Sequence, residues 1–359
     1  MNRRRFFSTI TGAAGACLLE NKGSVAAPAP GQTQTMSPDP SRMYVGTQKG
    51  SSDKMLSFYR RCGVRHVCGD PNSWTLEGLH RLQERCERWG ISLDLIALGM
   101  PRSVGLLGET EYRAKQIDQT CEQIRLAARA GISAIKYNLY ILDVLRTGVT
   151  GGRGGAGYST WEYDKALKED ALIRFGRFPA ELFWQRITDF LERVIPVATE
   201  YQVKMACHPH DPGVPPQGYC GVQRVLGTVE GWKRFLEICP SPYHGLNFCV
   251  GTVAGNLEHP AAELLDVLRY FGRRKKLFNI HFRNIRGQRD NFQEVYLDEG
   301  DLDMVKVIQV LQEVGYEGMI MPDHVPSHPD DPGELQGLAF AFGYIQALLQ
   351  AVPGKTAGR

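Results

Sequence analysis

Residues 111–138 read EYRAKQIDQTCEQIRLAARAGISAIKYN. Apolar side chains recur at helical spacing over residues 111–130, which predicts an amphipathic helix. Gly131 follows, where a left-handed helix terminus favours glycine, and the run at 132–138 has the composition of a buried strand. The stretch is therefore one helix-to-strand step of an alternating α/β chain.

The same alternation extends outward in both directions, with further helix-terminal glycines predicted at positions 63, 90, 272 and 315. Strands are predicted at 43–46, 64–68, 91–98, 132–138, 203–208, 245–249, 277–282 and 319–323. Further helices are predicted at 76–89, 180–200, 262–271 and 301–314, the last with Asp301 as its N-cap. Eight alternating units favour a closed (β/α)8 TIM barrel over residues 42–352, rather than a doubly wound sheet.

The composition is that of a soluble globular protein. The chain has 359 residues, 43% hydrophobic and 23% charged, with a net charge of +3. Its Lys and Arg residues are scattered rather than clustered, so we expect no nucleic acid, no membrane span and a small polar substrate. The sequence leaves open whether the chain forms a homo-oligomer.

The first residues differ in composition from the rest. Arg3, Arg4 and Arg5 precede two phenylalanines and an uncharged run, which predicts a twin-arginine signal peptide over residues 1–26. Residues 27–41 are rich in Pro, Gly, Ser and Thr and are predicted to form a flexible linker. The expected location is the periplasm; a basic disordered tail is the alternative. The 9 cysteines are irregularly spaced, which favours buried thiols over a disulfide framework.

A glycine-rich break occupies residues 147–164. It follows the fourth predicted strand, so it lies at the C-terminal face of the barrel, where active sites form. It lacks the Lys-Ser/Thr ending of a phosphate-binding loop. Two interpretations stay open: a loop that covers the substrate, or a disordered insertion.

Polar residues with metal-binding side chains end four of the last strands. His208, Cys249, His281 and Asp323 each come from a different strand. Any one of them alone is as readily explained as a structural residue, but four at successive strand ends indicate a shared site. Two imidazoles, a thiolate and a carboxylate suit manganese, iron or zinc better than magnesium or calcium.

Longer motifs around these residues resemble the mannonate dehydratases, a family of xylose-isomerase-like barrels. The resemblance rests on Cys207-His208-Pro209 with Asp211-Pro212, Leu246-Asn247-Phe248-Cys249 with Gly251-Thr252, His281 with Arg283-Asn284-Ile285, Asp301-Leu302-Asp303-Met304, Pro322-Asp323-His324, Lys136-Tyr137-Asn138 and Arg146-Thr147. It implies that the four strand-end residues bind Mn²⁺ or Fe²⁺, with Zn²⁺ still open. It also implies dehydration of D-mannonate to 2-keto-3-deoxy-D-gluconate.

The same resemblance suggests roles for the neighbouring residues. His324, next to Asp323, is the first candidate for a proton transfer at the substrate, and a supporting hydrogen bond to the metal site is its alternative role. His210 is the second candidate. Arg283 is expected to hold the substrate carboxylate through two hydrogen bonds, with a structural ion pair as the alternative. Asn284, Arg146 and Asn138 are expected to contact substrate hydroxyls or the carboxylate.

One departure from the family pattern concerns its catalytic tyrosine. After Pro322-Asp323-His324 the chain carries Val325-Pro326 and has no tyrosine before Tyr344. The alternatives are therefore a xylose-isomerase-like isomerase or epimerase, and an exported sugar-acid binding protein that has lost catalysis. The Cys and His ligands argue against the first alternative, because such isomerases usually bind metal through Glu and Asp. The retained ligand set argues against the second.

Overall fold

The eight predicted strands all form, close to their predicted bounds. The structure, a computed structural model, describes residues 43–98, 110–169 and 177–352. The eight strands are β1 Tyr44–Val45, β2 His66–Gly69, β3 Ser92–Ala97, β4 Ala134–Tyr137, β7 Lys204–Cys207, β8 His244–Cys249, β9 Leu277–His281 and β12 Met319–Met321.

These strands form one parallel sheet in the order β1-β12-β9-β8-β7-β4-β3-β2. Its two edges meet at Thr47, which forms a parallel bridge with Val67, so the sheet closes on itself. The predicted (β/α)8 barrel is confirmed. Closure brings the C-terminal ends of all eight strands to one face.

Helices surround the barrel and bury their apolar sides against it. They are α1 Asp53–Arg61, α2 Leu76–Arg88, α3 Thr110–Arg129, α4 Tyr163–Glu169, α5 Ala180–Glu200, α6 Val229–Ile238, α7 Val250–Ala254, α8 Pro260–Arg273, α9 Met304–Glu313 and α10 Leu335–Ala351. Ser52, Thr75 and Thr228 start α1, α2 and α6, and each side chain accepts a hydrogen bond from a backbone N–H of the first turn. Inside the barrel a small cluster fills the interior: Cys68, Leu95, Ala134, Met319 and Met321.

The glycine-rich segment is an ordered part of a second sheet. Strands β5 Gly148–Gly151 and β6 Gly157–Glu162 form a hairpin, which continues into β11 Asn291–Val295 and β10 Asn284–Gln288. A single 3-10 turn, Arg153–Gly155, connects β5 to β6. The disordered-insertion interpretation is therefore wrong, because these backbone groups pair in an antiparallel sheet above the C-terminal face.

Contacts at its tip anchor this hairpin. The Arg153 guanidinium donates to both carboxylate oxygens of Asp298 at 2.7 and 3.0 Å and lies 4.6 Å from the ring centroid of Tyr296. Gly157 forms an antiparallel bridge with Ser327, in the loop after β12. The hairpin is thus tied to the loops that follow β11 and β12.

Two local predictions were wrong. Helix α9 begins after Asp303, whose side chain accepts from Lys306 N, whereas Asp301 accepts from Gly287 N at 2.7 Å. Gly272 lies inside α8, where a Cβ would come within 2.5 Å of Val314, so close packing rather than a left-handed terminus requires glycine there.

The structure also bears on disulfide formation and on membrane-spanning helices. No disulfide joins the eight cysteines within the described ranges, and Cys68, Cys86, Cys121, Cys207 and Cys249 are buried. Among the described helices, none combines the length and the apolar composition that crossing a bilayer requires.

Candidate metal centre and active site

Four side chains from four neighbouring strands meet at the C-terminal mouth of the barrel. His208 follows β7, Cys249 ends β8, His281 ends β9 and Asp323 follows β12. One possible ligand atom from each residue can be chosen so that all lie within 4.8 Å of one another. The structure thus brings together the four residues that the sequence singled out as metal ligands.

Hydrogen bonds orient both imidazoles toward this cluster. His208 Nδ1 lies 2.7 Å from the backbone oxygen of Pro209. Its other ring nitrogen, Nε2, is therefore the one that can bind a cation. His281 Nε2 lies 3.1 Å from the amide of Asn247. His281 Nδ1 is buried and has no hydrogen-bond partner among the described residues, although it is 3.2 Å from Asp323 Oδ1. A buried ring nitrogen without a hydrogen-bond partner, beside a carboxylate, fits a metal ligand when the ring proton is on Nε2 and Asn247 turns its side-chain oxygen toward it.

The protonation states also suit a cation. Burial lowers the pKa of His208 to about 3 and also lowers the pKa of His281, so both imidazoles are neutral. Burial raises the pKa of the Cys249 thiol to about 12, and the thiol lies 3.5 Å from Asp323 Oδ2. Such a thiol ionises only when a strong positive charge binds beside it. Two nitrogens, a sulfur and a carboxylate therefore fit a divalent transition metal.

A network of buried charges lies directly against this cluster. Arg283 has a side chain only 1% exposed, and it pairs with Asp211 at 2.7 Å, Glu294 at 2.7 Å and Asp323 at 3.1 Å. Arg146 pairs with the same Asp211 and Glu294. Burial alone would raise the pKa of Asp211, but the charges of the two arginines lower it well below its ordinary value. The network therefore stays ionised.

This network corrects the roles expected for two arginines. The two terminal nitrogens of Arg283 bond to Asp323 and Glu294 on one side and to Asp211 and Thr252 on the other, and no terminal donor is left for a substrate carboxylate. Arg146 donates to Asp211, Glu294 and its own neighbour's backbone. Their observed contacts are ion pairs within the protein, the alternative that the sequence left open for Arg283.

Two further expected site residues also have structural roles. His210 is buried, and its ring nitrogens contact the carbonyl of Leu139 at 2.9 Å and the N–H of Leu226 at 3.2 Å, so it has no nitrogen left for proton transfer. The Asn284 amide donates to the carbonyls of Leu297 and Leu302 and is likewise buried. By contrast, Asn138 is exposed at the end of β4.

His324 is the titratable side chain that faces the mouth. Its side chain is 41% exposed, and its Nδ1 lies 2.9 Å from Glu294 Oε2. Its Nε2 lies 3.9 Å from Asp323 Oδ1, at the edge of the four-residue cluster. The negative charge of Asp323, followed by that of Glu294, raises the pKa of His324 against the effect of burial.

Sequence reasoning missed three residues around the mouth. Glu294 lies in β11 of the second sheet, away from the end of any barrel strand. A search of barrel strand ends could therefore not select it. Gln48 follows β1 and donates to Asp323 Oδ1 at 2.9 Å. Lys136 lies in β4 and donates to Gln48 Oε1. The strand-end rule that selected the metal ligands would have selected Gln48 and Lys136 as well.

Known proteins with similar sequences are mannonate dehydratases. The sequence profile described as D-mannonate dehydratase (UxuA) matches residues 161–357. A mannonate dehydratase from Thermotoga petrophila is 30% identical over 319 residues, covering 78% of this chain and 86% of that protein. Mannonate dehydratase 2 from Halalkalibacterium halodurans is 28% identical, covering 78% of this chain and 88% of that protein.

Solved structures agree in fold. The crystal structure of mannonate dehydratase from Streptococcus suis serotype2 superposes with a TM-score of 0.76 at 23% identity, covering 86% of this chain and 95% of that one. A xylose isomerase domain protein from Planctomyces limnophilus superposes with a TM-score of 0.58 at 18% identity, covering 86% and 97%. The xylose-isomerase-like barrel is thus confirmed.

The same relatives contradict the prediction of export. They are mannonate dehydratases, that is, metabolic enzymes, and on this finding the assignment of this chain to the periplasm is wrong. The twin-arginine interpretation of residues 1–26 and the linker at 27–41 fall on residues that lie outside the described ranges.

Proposed function

The chain belongs to the D-mannonate dehydratase (UxuA) family, and from that premise we propose that it converts D-mannonate to 2-keto-3-deoxy-D-gluconate and water. One observation carries the proposal. The four metal-competent side chains converge at the barrel mouth, and an exposed imidazole held by a buried carboxylate stands beside them.

We assign His208, Cys249, His281 and Asp323 as the ligands of a divalent ion. The mixed N, S and O donor set favours manganese or ferrous iron, with zinc still open. When bound, such an ion supplies Lewis-acid stabilisation of the negative charge that develops on the substrate carboxylate as the neighbouring proton leaves.

His324 is assigned one proton transfer of the elimination. Its Nδ1–H donates to Glu294, and this hydrogen bond leaves Nε2 with a free electron pair on the side of the cluster. From that position Nε2 can accept the C2 proton of a substrate bound at the mouth. The electron pair of the broken C2–H bond forms the C2–C3 double bond, and the 3-hydroxyl leaves as water after protonation. The resulting enol then becomes the 2-keto acid.

The buried charges hold this imidazole in place. Glu294 bonds to His324 and is itself fixed by Arg283 and Arg146, so its carboxylate cannot rotate away. Arg283 also bonds to Asp323 and so connects the proton-transfer residue to the ligand cluster. We propose that the two arginines position catalytic groups, and that Asn138, exposed at the end of β4, contacts substrate hydroxyls.

A panel of sugar acids tests the proposed function. The purified protein, loaded with Mn²⁺, is incubated with D-mannonate and its stereoisomers, and 2-keto acid formation is followed. Product from D-mannonate alone supports the proposal. A new stereoisomer without loss of water would instead identify an epimerase, and binding without turnover would identify a sugar-acid binding protein.

A further inference from the structure

An elimination beside a carboxylate needs a positive group for that carboxylate, and the two arginines at the mouth are already engaged. Arg283 and Arg146 direct their terminal nitrogens at buried protein groups. Arg224 donates to the carbonyls of Asp211, Leu142 and Asp143. Each terminal nitrogen of these three guanidinium groups already donates to a protein group, and the Nε atoms of Arg283 and Arg146, which have no partner among the described residues, are buried.

Lys136 is a cation of a different kind. It lies two residues after Ala134 in β4, and Ala134 belongs to the cluster that fills the barrel interior, so strand alternation directs Lys136 to the same inward face. Lys136 is partly buried, one residue before the end of the strand. Its side chain therefore reaches the mouth from within the barrel.

The partner of Lys136 is neutral. Its ammonium donates to the side-chain oxygen of Gln48, and the Gln48 amide nitrogen donates to Asp323 at 2.9 Å. One amide group thus separates the ammonium from a ligand of the proposed metal. Within the described ranges, no carboxylate lies close enough to Lys136 to form an ion pair. The charge of Lys136 opposes the increase that burial causes in the pKa of Asp70, which follows the nearby strand β2.

We propose that Lys136 is the cation that binds the substrate carboxylate, with Gln48 holding the ammonium in place. This inference rests on the proposed function, because it takes the substrate to be a sugar acid. An ammonium has three N–H donors and Gln48 accepts one of them, so two remain for a carboxylate. A carboxylate held there would lie close to Gln48, whose amide nitrogen donates to the proposed metal ligand Asp323. Lys136 would then both select acids over neutral sugars and stabilise the charge that grows on the carboxylate.

Substitution of Lys136 tests the assignment. Lys136→Met removes the charge but keeps the length of the side chain, and Lys136→Arg restores a charge. Lys204→Met is the matched control: Lys204 lies in the adjacent strand β7, pairs with Ala134 rather than with the end of β4, and is exposed at the far end of the barrel. Metal content and the thermal midpoint are measured for each variant.

Two measurements separate this assignment from the proposed function. KM and kcat for D-mannonate are measured in the otherwise native, Mn²⁺-loaded protein, and Kd for D-mannonate is measured by calorimetry in a His324→Ala background, in which we expect turnover to be slow. We expect Lys136→Met to raise both KM and Kd by about 10- to 100-fold, the usual effect of losing a hydrogen bond to a charged group. Lys136→Arg should recover part of that loss, and Lys204→Met should change neither constant.

The outcomes are distinct. A native enzyme that forms 2-keto acid, with a Lys136→Met variant whose KM and Kd stay within twofold, would overturn the Lys136 assignment alone. A native protein that binds D-mannonate without turnover, and weakly after Lys136→Met, would support the assignment and refute dehydration. Weaker binding that accompanies loss of metal and is not recovered by arginine would also overturn the assignment, because it would reveal a structural role.

Discussion

Replacing Glu294 by Gln should stop proton transfer by His324 through a change of tautomer. In the native chain Glu294 Oε1 accepts from Arg283 at 2.7 Å and from Arg146, and His324 Nδ1 lies 2.9 Å from Oε2 and 3.0 Å from Oε1. A glutamine has one oxygen and one NH₂ group, and the N–H groups of the two arginines can bond only to the oxygen. The NH₂ group therefore takes the Oε2 position, 2.9 Å from Nδ1, where it competes with the ring N–H for the remaining oxygen and favours the tautomer with its proton on Nε2, the nitrogen that should accept the substrate proton.

The size of both effects follows from these contacts. A base held in the wrong tautomer by an acid-to-amide change lost about 10⁴-fold in kcat in the best-studied protease triad, so we expect a decrease of about 10²- to 10⁴-fold here. Arg283 keeps Asp211 and Asp323 as partners, and Arg146 keeps Asp211. The loss of one buried charge should therefore cost about 3 kcal/mol of unfolding free energy, the low end for breaking a buried ion pair.

Steady-state kinetics, urea unfolding and metal analysis of the same preparations check this prediction. His324→Ala should lower kcat about as much as Glu294→Gln. The double variant should be no slower than His324→Ala alone, because both changes remove the same proton transfer. Glu299→Gln, which alters a carboxylate bonded to Tyr158 in the hairpin, serves as the control. A Glu294→Gln enzyme with lower stability but kcat within twofold of native would show that Glu294 only stabilises the fold. Activity of His324→Ala restored by excess Mn²⁺ would assign His324 to metal support instead.

Five further substitutions test the site and the fold. His281→Ala should lower Mn²⁺ affinity by more than about 100-fold, beyond the usual effect of losing an outer hydrogen-bond partner, and full metal occupancy in the purified variant would contradict its ligand role. Gly251→Ala would place a Cβ 2.6 Å from Arg283 Nε, so it should destabilise the protein by about 1 to 3 kcal/mol in urea unfolding. Gly343→Ala meets no atom within 4 Å inside α10 and should instead stabilise it by about 0.5 to 1 kcal/mol; a loss of stability there would refute the packing argument. Asp303→Ala should cost about 1 kcal/mol by removing the N-cap of α9, whereas Asp301→Ala should leave the start of that helix intact, and amide hydrogen exchange in the first turn distinguishes the two.

The barrel could be predicted because its signals are local. Each strand is a short apolar run, and most are preceded by a helix and a glycine, so the alternation is readable without tertiary information. The four clustered residues followed from one geometric rule, that parallel strands of a barrel end at the same face. Asp303 and Asp301 show the limit of such reading: both are good N-caps by residue type, and only the path of the chain decides which one starts the helix.

The remaining site could not be read from local sequence because it depends on pairing between distant segments. Glu294 contacts His324 because β11 belongs to the second sheet, where it pairs with β6 above the mouth of the barrel. His210 and His208 are two residues apart and equally suited to catalysis by residue type. The fold turns His208 toward the cluster and His210 toward backbone groups of Leu139 and Leu226.

The order of strands gives the proposed ion a mechanical role as well. Its four ligands come from β7, β8, β9 and β12, which are consecutive neighbours in the sheet. The barrel closes between β1 and β2, where Thr47 bridges to Val67, and this seam lies in the other half. An ion bound to all four would act as a cross-link across one half-barrel, and its binding free energy would add to the stability of that half alone. Loading with metal should then slow amide exchange in β7 to β9 and β12 more than in β1 to β4, so that the seam becomes the place where the barrel opens first.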